Sequence, residues 1–332
     1  MSTHTTTPRE SSPLDALRRL PLPRLGGAAG GPLLALIALI VVLSFLSPVF
    51  LTERNLTAVL DQVSGLGIVA VGATLVIVIG GIDLSVGSVL ALASMVCGYL
   101  FARSGLPMEL AIVAALAAGA AAGLVNGLLI TFGRLPAFVA TLAMLSVARG
   151  LALLVTNGET IADFPDWFRA LVTDELLGPF SAAHLLLLGT LAAGAGYLRF
   201  RPGGRALYAI GGNEEVARLS GVNITAARLR VYTIAGLLAA VAGVLLTARL
   251  NSASPIAAQG FELDVIAAVV IGGASLSGGR GTMWGTFVGV LIIGVLRNGL
   301  TLIDVTAFLQ QVVIGVVIAV AVMSDTLRRR RA

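Results

Sequence analysis

The sequence predicts an all-α, polytopic integral membrane protein with about ten transmembrane helices. Three observations predict it. Of the 332 residues, 57% are hydrophobic and only 12% charged, far outside the range of ordinary globular chains. Apolar runs able to cross about 30 Å of hydrocarbon recur along nearly the whole length. Forty glycines, with abundant alanine, suit helices that pack backbone to backbone in lipid.

In chain order, residues 1–31 are rich in Ser, Thr, Pro and Arg and have no apolar core. They read as a disordered cytoplasmic tail rather than a signal peptide. The membrane domain occupies 32–323, with spans at 32–51, 63–81, 86–102, 110–132, 137–155, 182–197 and 231–248. Runs at 263–274, 283–296 and 307–323 are shorter or interrupted by glycine. Helix breaks at membrane depth survive only where protein or an aqueous cavity satisfies the freed backbone groups, so they point to a pathway. Residues 157–181, with Glu159, Asp163, Asp166, Asp174 and Glu175 around Trp167 and Phe168, form an acidic extracytoplasmic loop suited to an external partner. Residues 199–230 are a polar interruption with six arginines, and 324–332 form a basic cytoplasmic tail.

All 22 basic residues are arginine. With both termini cytoplasmic, sixteen of them fall inside: Arg9, Arg18, Arg19, Arg24, Arg134, the six of 199–230, Arg280 and 328–331. Arg54, Arg103, Arg169, Arg249 and Arg297 fall outside and Arg149 within a span, which follows the positive-inside rule. The net charge of +5 is therefore a topology signal rather than a nucleic-acid footprint. Because the chain has no lysine, it cannot carry the G-x-x-x-x-G-K-[ST] phosphate loop, and any ATP chemistry belongs to another subunit. Cys97, the sole cysteine, reads as an inert packing residue, and His4 and His184 are too isolated for a metal site. No Ser/His/Asp, metal or paired-carboxylate constellation of an enzyme is evident.

Within the polar interruption, Asn213, Glu214, Glu215, Val216, Ala217, Arg218, Leu219, Ser220 and Gly221 carry the punctuation of one short helix. Asn213 is its N-cap, the two glutamates oppose the positive end of the helix dipole, Arg218 suits the other end, and Gly221 takes the left-handed stop. So short a helix needs a surface under the face shared by Val216 and Leu219, supplied by its own bundle or by a cytosolic partner. The E-x-A-x-x-x-G spacing of Glu215, Ala217 and Gly221 resembles the coupling-helix signature of ATP-binding-cassette (ABC) importer permeases. The segment Gly80-Gly81-Ile82-Asp83-Leu84-Ser85-Val86-Gly87-Ser88 resembles the hallmark of the monosaccharide (ribose-type) permeases, in the superfamily shared with branched-chain amino acid permeases. Blocks at 138–150, 204–223, 261–264 and 270–281 extend the likeness over about residues 60 to 323.

The resemblance implies a type II ABC importer-like fold and the permease subunit of a binding-protein-dependent importer. It would move a monosaccharide or similar small polar solute across the bacterial inner membrane. It further implies a permease homodimer or a close paralogue as second copy, an extracytoplasmic (periplasmic) sugar-binding protein, and a cytosolic ATPase that holds ATP and Mg. No cofactor is expected on this chain. The alternative, an ion-coupled secondary transporter, needs ionisable groups deep in the membrane, and the sequence offers few.

The pattern Val78-Ile79-Gly80-Gly81-x-x-Leu84-Ser85-x-Gly87 returns as Val270-Ile271-Gly272-Gly273-x-x-Leu276-Ser277-x-Gly279, which suggests an internal duplication. The topology sets both copies in the same sense. Either the duplication is parallel, the span count between them is off by one, or the match is chance. Asp83 or Ser85 would cap the helix that follows; alternatively Gly80, Gly81, Asp83 and Ser85, with Gly272 and Gly273, line an inner gate. Arg149 lies about 18 Å into its span, where it pairs with a carboxylate or donates to sugar hydroxyls in transit. Asn126 and Asn298 either do similar work or hydrogen-bond between helices.

Overall fold

The computed structural model describes residues 30–330, so nearly all of the expected N-terminal tail lies outside the described residues. Thirteen helices occur among them: α1 (Gly30–Leu46), α2 (Glu53–Val78), α3 (Val86–Ala102), α4 (Met108–Thr131), α5 (Ala137–Leu154), α6 (Asp166–Thr173), α7 (Ala182–Phe200), α8 (Pro202–Gly212), α9 (Glu214–Leu219), α10 (Ile224–Leu250), α11 (Phe261–Ile271), α12 (Met283–Leu302) and α13 (Ala307–Arg330). Two short strands, β1 (Ile161–Ala162) and β2 (Ser252–Ala253), pair antiparallel.

By length and composition α2, α4, α5, α7, α10 and α12 are able to cross a membrane. The 17-residue α1 and α3 and the apolar part of α13, Ala307–Val320, are shorter. The run 263–274 is corrected: α11 has 11 residues, about 17 Å by helical rise, and reaches only part-way across. Its first turn packs against the first turn of α3, where a Cβ on Gly87 would meet the Ala258 carbonyl and the Glu262 carboxylate. The chain from β2 to α11 is thus a re-entrant loop inside the bundle, with left-handed backbone at Ala258 and Gly260.

The polar interruption 199–230 is corrected too. Its last residues are the opening turns of α10, and its first part holds α8, which starts with Pro202 at the first helical position, where a missing N–H costs nothing. The outer loop 157–181 is not free chain. Phe168 is fully buried, Phe164 lies 5.8 Å from Phe101 between ring centroids, and the β1–β2 ladder ties the segment to the end of α10.

Helix α2 is the axis of the bundle, with 83% of its apolar window buried, against 28% for α5 and for α7. Lipid gives helices no hydrophobic drive to associate, so close packing and interhelical hydrogen bonds hold them. α4 meets α10 backbone to backbone: a Cβ on Gly119 or Gly123 would strike Gly236. Buried hydroxyl pairs link α2 to α12 through Thr74 and Thr286 at 2.7 Å, and α3 to α10 through Ser94 and Thr247 at 2.6 Å. His184 Nδ1 accepts from the Ser181 N–H at 3.0 Å, while its Nε2 lies 3.0 Å from Asp61 Oδ1. Cys97 is buried and unbonded.

All long helices run between two ends, one carrying α9 and the other carrying the β1–β2 ladder. α2 and α11 both run towards the α9 end and both stop there at a Gly-Gly pair, with α3 and α12 returning. The two copies of the repeated pattern are therefore helix–break–helix hairpins of the same sense.

Candidate functional site

The first break begins where α2 stops. Gly80 takes a φ of 80°, out of reach of most side chains. Asp83 is 5% exposed, and its Oδ1 accepts from the Ser85 N–H at 2.8 Å and the Ser85 hydroxyl at 2.6 Å. Ser85 in turn accepts from Asn126 Nδ2 of α4 at 2.9 Å, and the Ile82 carbonyl accepts from Thr141 of α5 at 3.1 Å. Asp83 thus caps a single N–H ahead of α3, and Ser85 itself makes no side-chain cap. Tyr232 of α10 is 1% exposed and closes over Gly81, where a Cβ would meet its hydroxyl.

The second break is turned largely by backbone hydrogen bonds. Ser275 N–H donates to the Arg280 carbonyl at 3.1 Å and Gly278 N–H to the Ser275 carbonyl at 2.8 Å. Gly273, Gly278, Gly279 and Gly281 all have positive φ. Gly272 itself is a packing residue whose backbone lies against Gly285 of α12.

The breaks touch each other. Gly279 N–H donates to the Val78 carbonyl at 2.9 Å, one of the acceptors left open where α2 ends. Between them sits the end of α8. A Cβ on Gly211 would collide with the Val78 carbonyl on one side and the Gly279 amide on the other, and a Cβ on Gly278 would meet Gly211 and Gly80. Tyr208, one turn earlier on α8, donates its hydroxyl to the Gly281 carbonyl at 2.7 Å. Burial pushes its phenol above the usual tyrosine value, which keeps that donor protonated.

One residue beyond α8 comes α9. Asn213 Oδ1 accepts from the Val216 N–H at 3.1 Å as an N-cap, and Gly221 ends the helix with a φ of 80°. Ala217 packs inward at 2% exposure, whereas Val216 and Leu219 stand 57% and 80% exposed. The bundle therefore does not cover the apolar face of α9. Glu214 accepts from Arg218 at 3.3 Å and also pairs with Arg228 of α10, while Glu215 is exposed. A cavity of about 830 Å³ opens beside α9, and Gly80, Gly81, Arg134, Glu214, Arg228 and Tyr232 all line it.

Of the gate residues named from sequence, Gly80, Gly81, Asp83, Ser85 and Asn126 come together, and Gly273 joins through the second loop. Arg149 and Asn298 lie elsewhere. Asn298 exchanges amide hydrogen bonds with Asn55 at 2.8 and 3.0 Å, an interhelical clasp. Arg149 is in none of the ion pairs among the described residues and donates instead to the carbonyls of Pro255 at 2.6 Å and Ala257 at 2.9 Å, pinning the re-entrant loop. Arg297, placed outside by the topology, pairs with Asp264 of α11 at 2.7 Å. Gly211, Gly278, Tyr208 and Tyr232 were not singled out as gate residues in the sequence. Only the repeat, which ends at Gly279, pointed near them.

Residues 55–322 match the family described as branched-chain amino acid transport system / permease component. The chain is 47% identical over 298 residues to the ribose import permease protein of Bacillus subtilis, covering 89% of this chain and 92% of that one. It is 44% identical over 303 residues to the ribose import permease protein of Escherichia coli K12, covering 88% and 92%. With the L-arabinose ABC transporter permease protein of Azospirillum brasilense it shares 35% over 301 residues, covering 91% and 88%. No solved structure matches the chain significantly.

Proposed function

Since the chain belongs to the branched-chain amino acid transport system / permease component family, we propose that it is the membrane-spanning subunit of an ABC importer for a monosaccharide or similar small polar solute. Relatives named for ribose and L-arabinose support a sugar as cargo. The α9 end faces the cytoplasm, as the arginine bias favours. There the open face of Val216 and Leu219 receives a separate ATPase that holds ATP and Mg. A sugar-binding protein delivers cargo to the β1–β2 end, and a second copy of the permease completes the pathway.

The observation that carries this reading is the seat of Gly211. The α8–α9 segment presents an uncovered apolar face on α9 and, three residues before that helix begins, a backbone wedged between both helix breaks. Closure of the ATPase moves α9, α8 follows, and the breaks shift together between two packings. Ion coupling is disfavoured because two of the buried carboxylates are already held, Asp83 by Ser85 and Asp264 by Arg297.

The test is uptake by vesicles. The chain with its ATPase and binding protein should accumulate sugar only with ATP, and the chain alone should accumulate none. Uphill accumulation by the lone chain in an ion gradient would overturn the reading. Glu215→Arg or Gly221→Val should weaken ATPase binding and abolish uptake while leaving insertion intact; undiminished uptake in either would count against α9 as the docking helix. Arg149→Ala should impair uptake with docking preserved, because it frees the re-entrant loop and not the ATPase face.

A further inference from the structure

A second large cavity, about 790 Å³, lies between α2, α7 and α10. Its walls are apolar, with Val71, Leu75, Ile234 and Leu238 among them, and Gly196 leaves it hollow because a Cβ there would meet nothing within 4 Å. At the α9 end it finishes in polar groups, Tyr197 and Arg201. Arg201 is exposed, with Arg199 and Arg205 beside it in sequence, and none of the three is in an ion pair among the described residues.

An apolar trough capped by an uncompensated guanidinium matches an amphiphile with an anionic head. We propose that it holds one anionic phospholipid, with an acyl chain along α7 and the phosphate against Arg201. Free phosphate would leave the apolar walls unfilled. A second copy of the chain docking symmetrically through the groove would bring the same three arginines together with no carboxylate between them. The groove flanks the α7–α8 elbow, where Gly204 is packed on the Tyr197 carbonyl, so a bound lipid braces the segment leading to α9. The leaflet assignment rests on the orientation given under Proposed function. Lipid retention does not depend on transport, so the two readings fail separately.

The experiment purifies the full chain from membranes and reintroduces it into nanodiscs of mixed phosphatidylglycerol and phosphatidylcholine, then counts retained lipids by native mass spectrometry. The wild type should retain phosphatidylglycerol in preference to phosphatidylcholine. Gly196→Leu, which fills the trough without a clash, should lose that lipid. Arg201→Gln should keep a lipid but lose about fivefold of the anionic preference, the effect of one arginine near an anionic surface. Equal retention in wild type and Gly196→Leu would overturn the proposal, as would displacement of the lipid by inorganic phosphate. So would a Gly196→Leu variant that only shifts the oligomeric state, which would assign the groove to a second copy.

Discussion

The two helix breaks carry the same sequence pattern and run in the same sense, yet they are built differently. The first is fastened by side chains: Asp83, Ser85 and Asn126 of α4 form one hydrogen-bonded chain, and Thr141 of α5 separately donates to the Ile82 carbonyl. The second is fastened mostly by backbone, with glycines at positive φ and amides that reach the Arg280, Ser275 and Val78 carbonyls, and by the Tyr208 hydroxyl on the Gly281 carbonyl. A shared pattern therefore fixes where a helix stops, while its neighbours decide what the stop is made of. The first break is anchored to α4 and α5, and the second leans on the first and on α8, which suits a fixed pivot meeting a moving loop.

That contrast ranks the expected effects of substitution. Gly278→Val should do most harm, because it adds a Cβ at a φ of 83° against the Gly211 and Gly80 backbones. Strain of about 1–3 kcal/mol from φ alone, together with the clash, should abolish uptake, measured in vesicles with ATPase and binding protein present. Asp83→Leu should come next. It removes the acceptor for two buried donors at a cost of about 1–3 kcal/mol, seen as a lower unfolding midpoint and reduced uptake, while Asp83→Asn keeps an acceptor oxygen and should lose less. Thr141→Val should cost least, about 0.5–1.5 kcal/mol for one hydrogen bond, with uptake nearly intact. Were Thr141→Val as damaging as Gly278→Val, the division between a side-chain break and a backbone break would fail.

Much of the bundle was legible because a long apolar run is sufficient evidence for a membrane helix, as with α4, α5 and α10. The run that forms α11 was visibly short, but its start part-way along the bundle was not legible, since hydropathy reports that a segment avoids water but not how deep it starts. The short α9 could be read from Asn213 and Gly221, whose capping chemistry is local. Helix α8 left a readable sign in Pro202 followed by Leu207 and Ile210 at helical spacing, but its polar flanks hid it inside a loop. The grouping of Gly80, Asp83 and Ser85 was visible as a motif. The wedge at Gly211 was not, because it depends on backbone atoms of residues far away in sequence. For the same reason Arg149 was expected to meet a carboxylate or a sugar: backbone carbonyls of a re-entrant loop leave no side-chain signature.

One comparison bears most directly on the claim that α8 transmits ATPase motion to both breaks. Gly211 and Gly212 are neighbours, but a methyl at 211 would strike the Val78 carbonyl and the Gly279 amide, whereas a methyl at 212 meets nothing within 4 Å. ATP-driven sugar accumulation should be measured for Gly211→Ala and Gly212→Ala in vesicles containing the assembled importer. The account predicts that both variants bind the ATPase, that Gly212→Ala transports like the wild type, and that Gly211→Ala hydrolyses ATP without accumulating sugar. Wild-type accumulation by Gly211→Ala would contradict it.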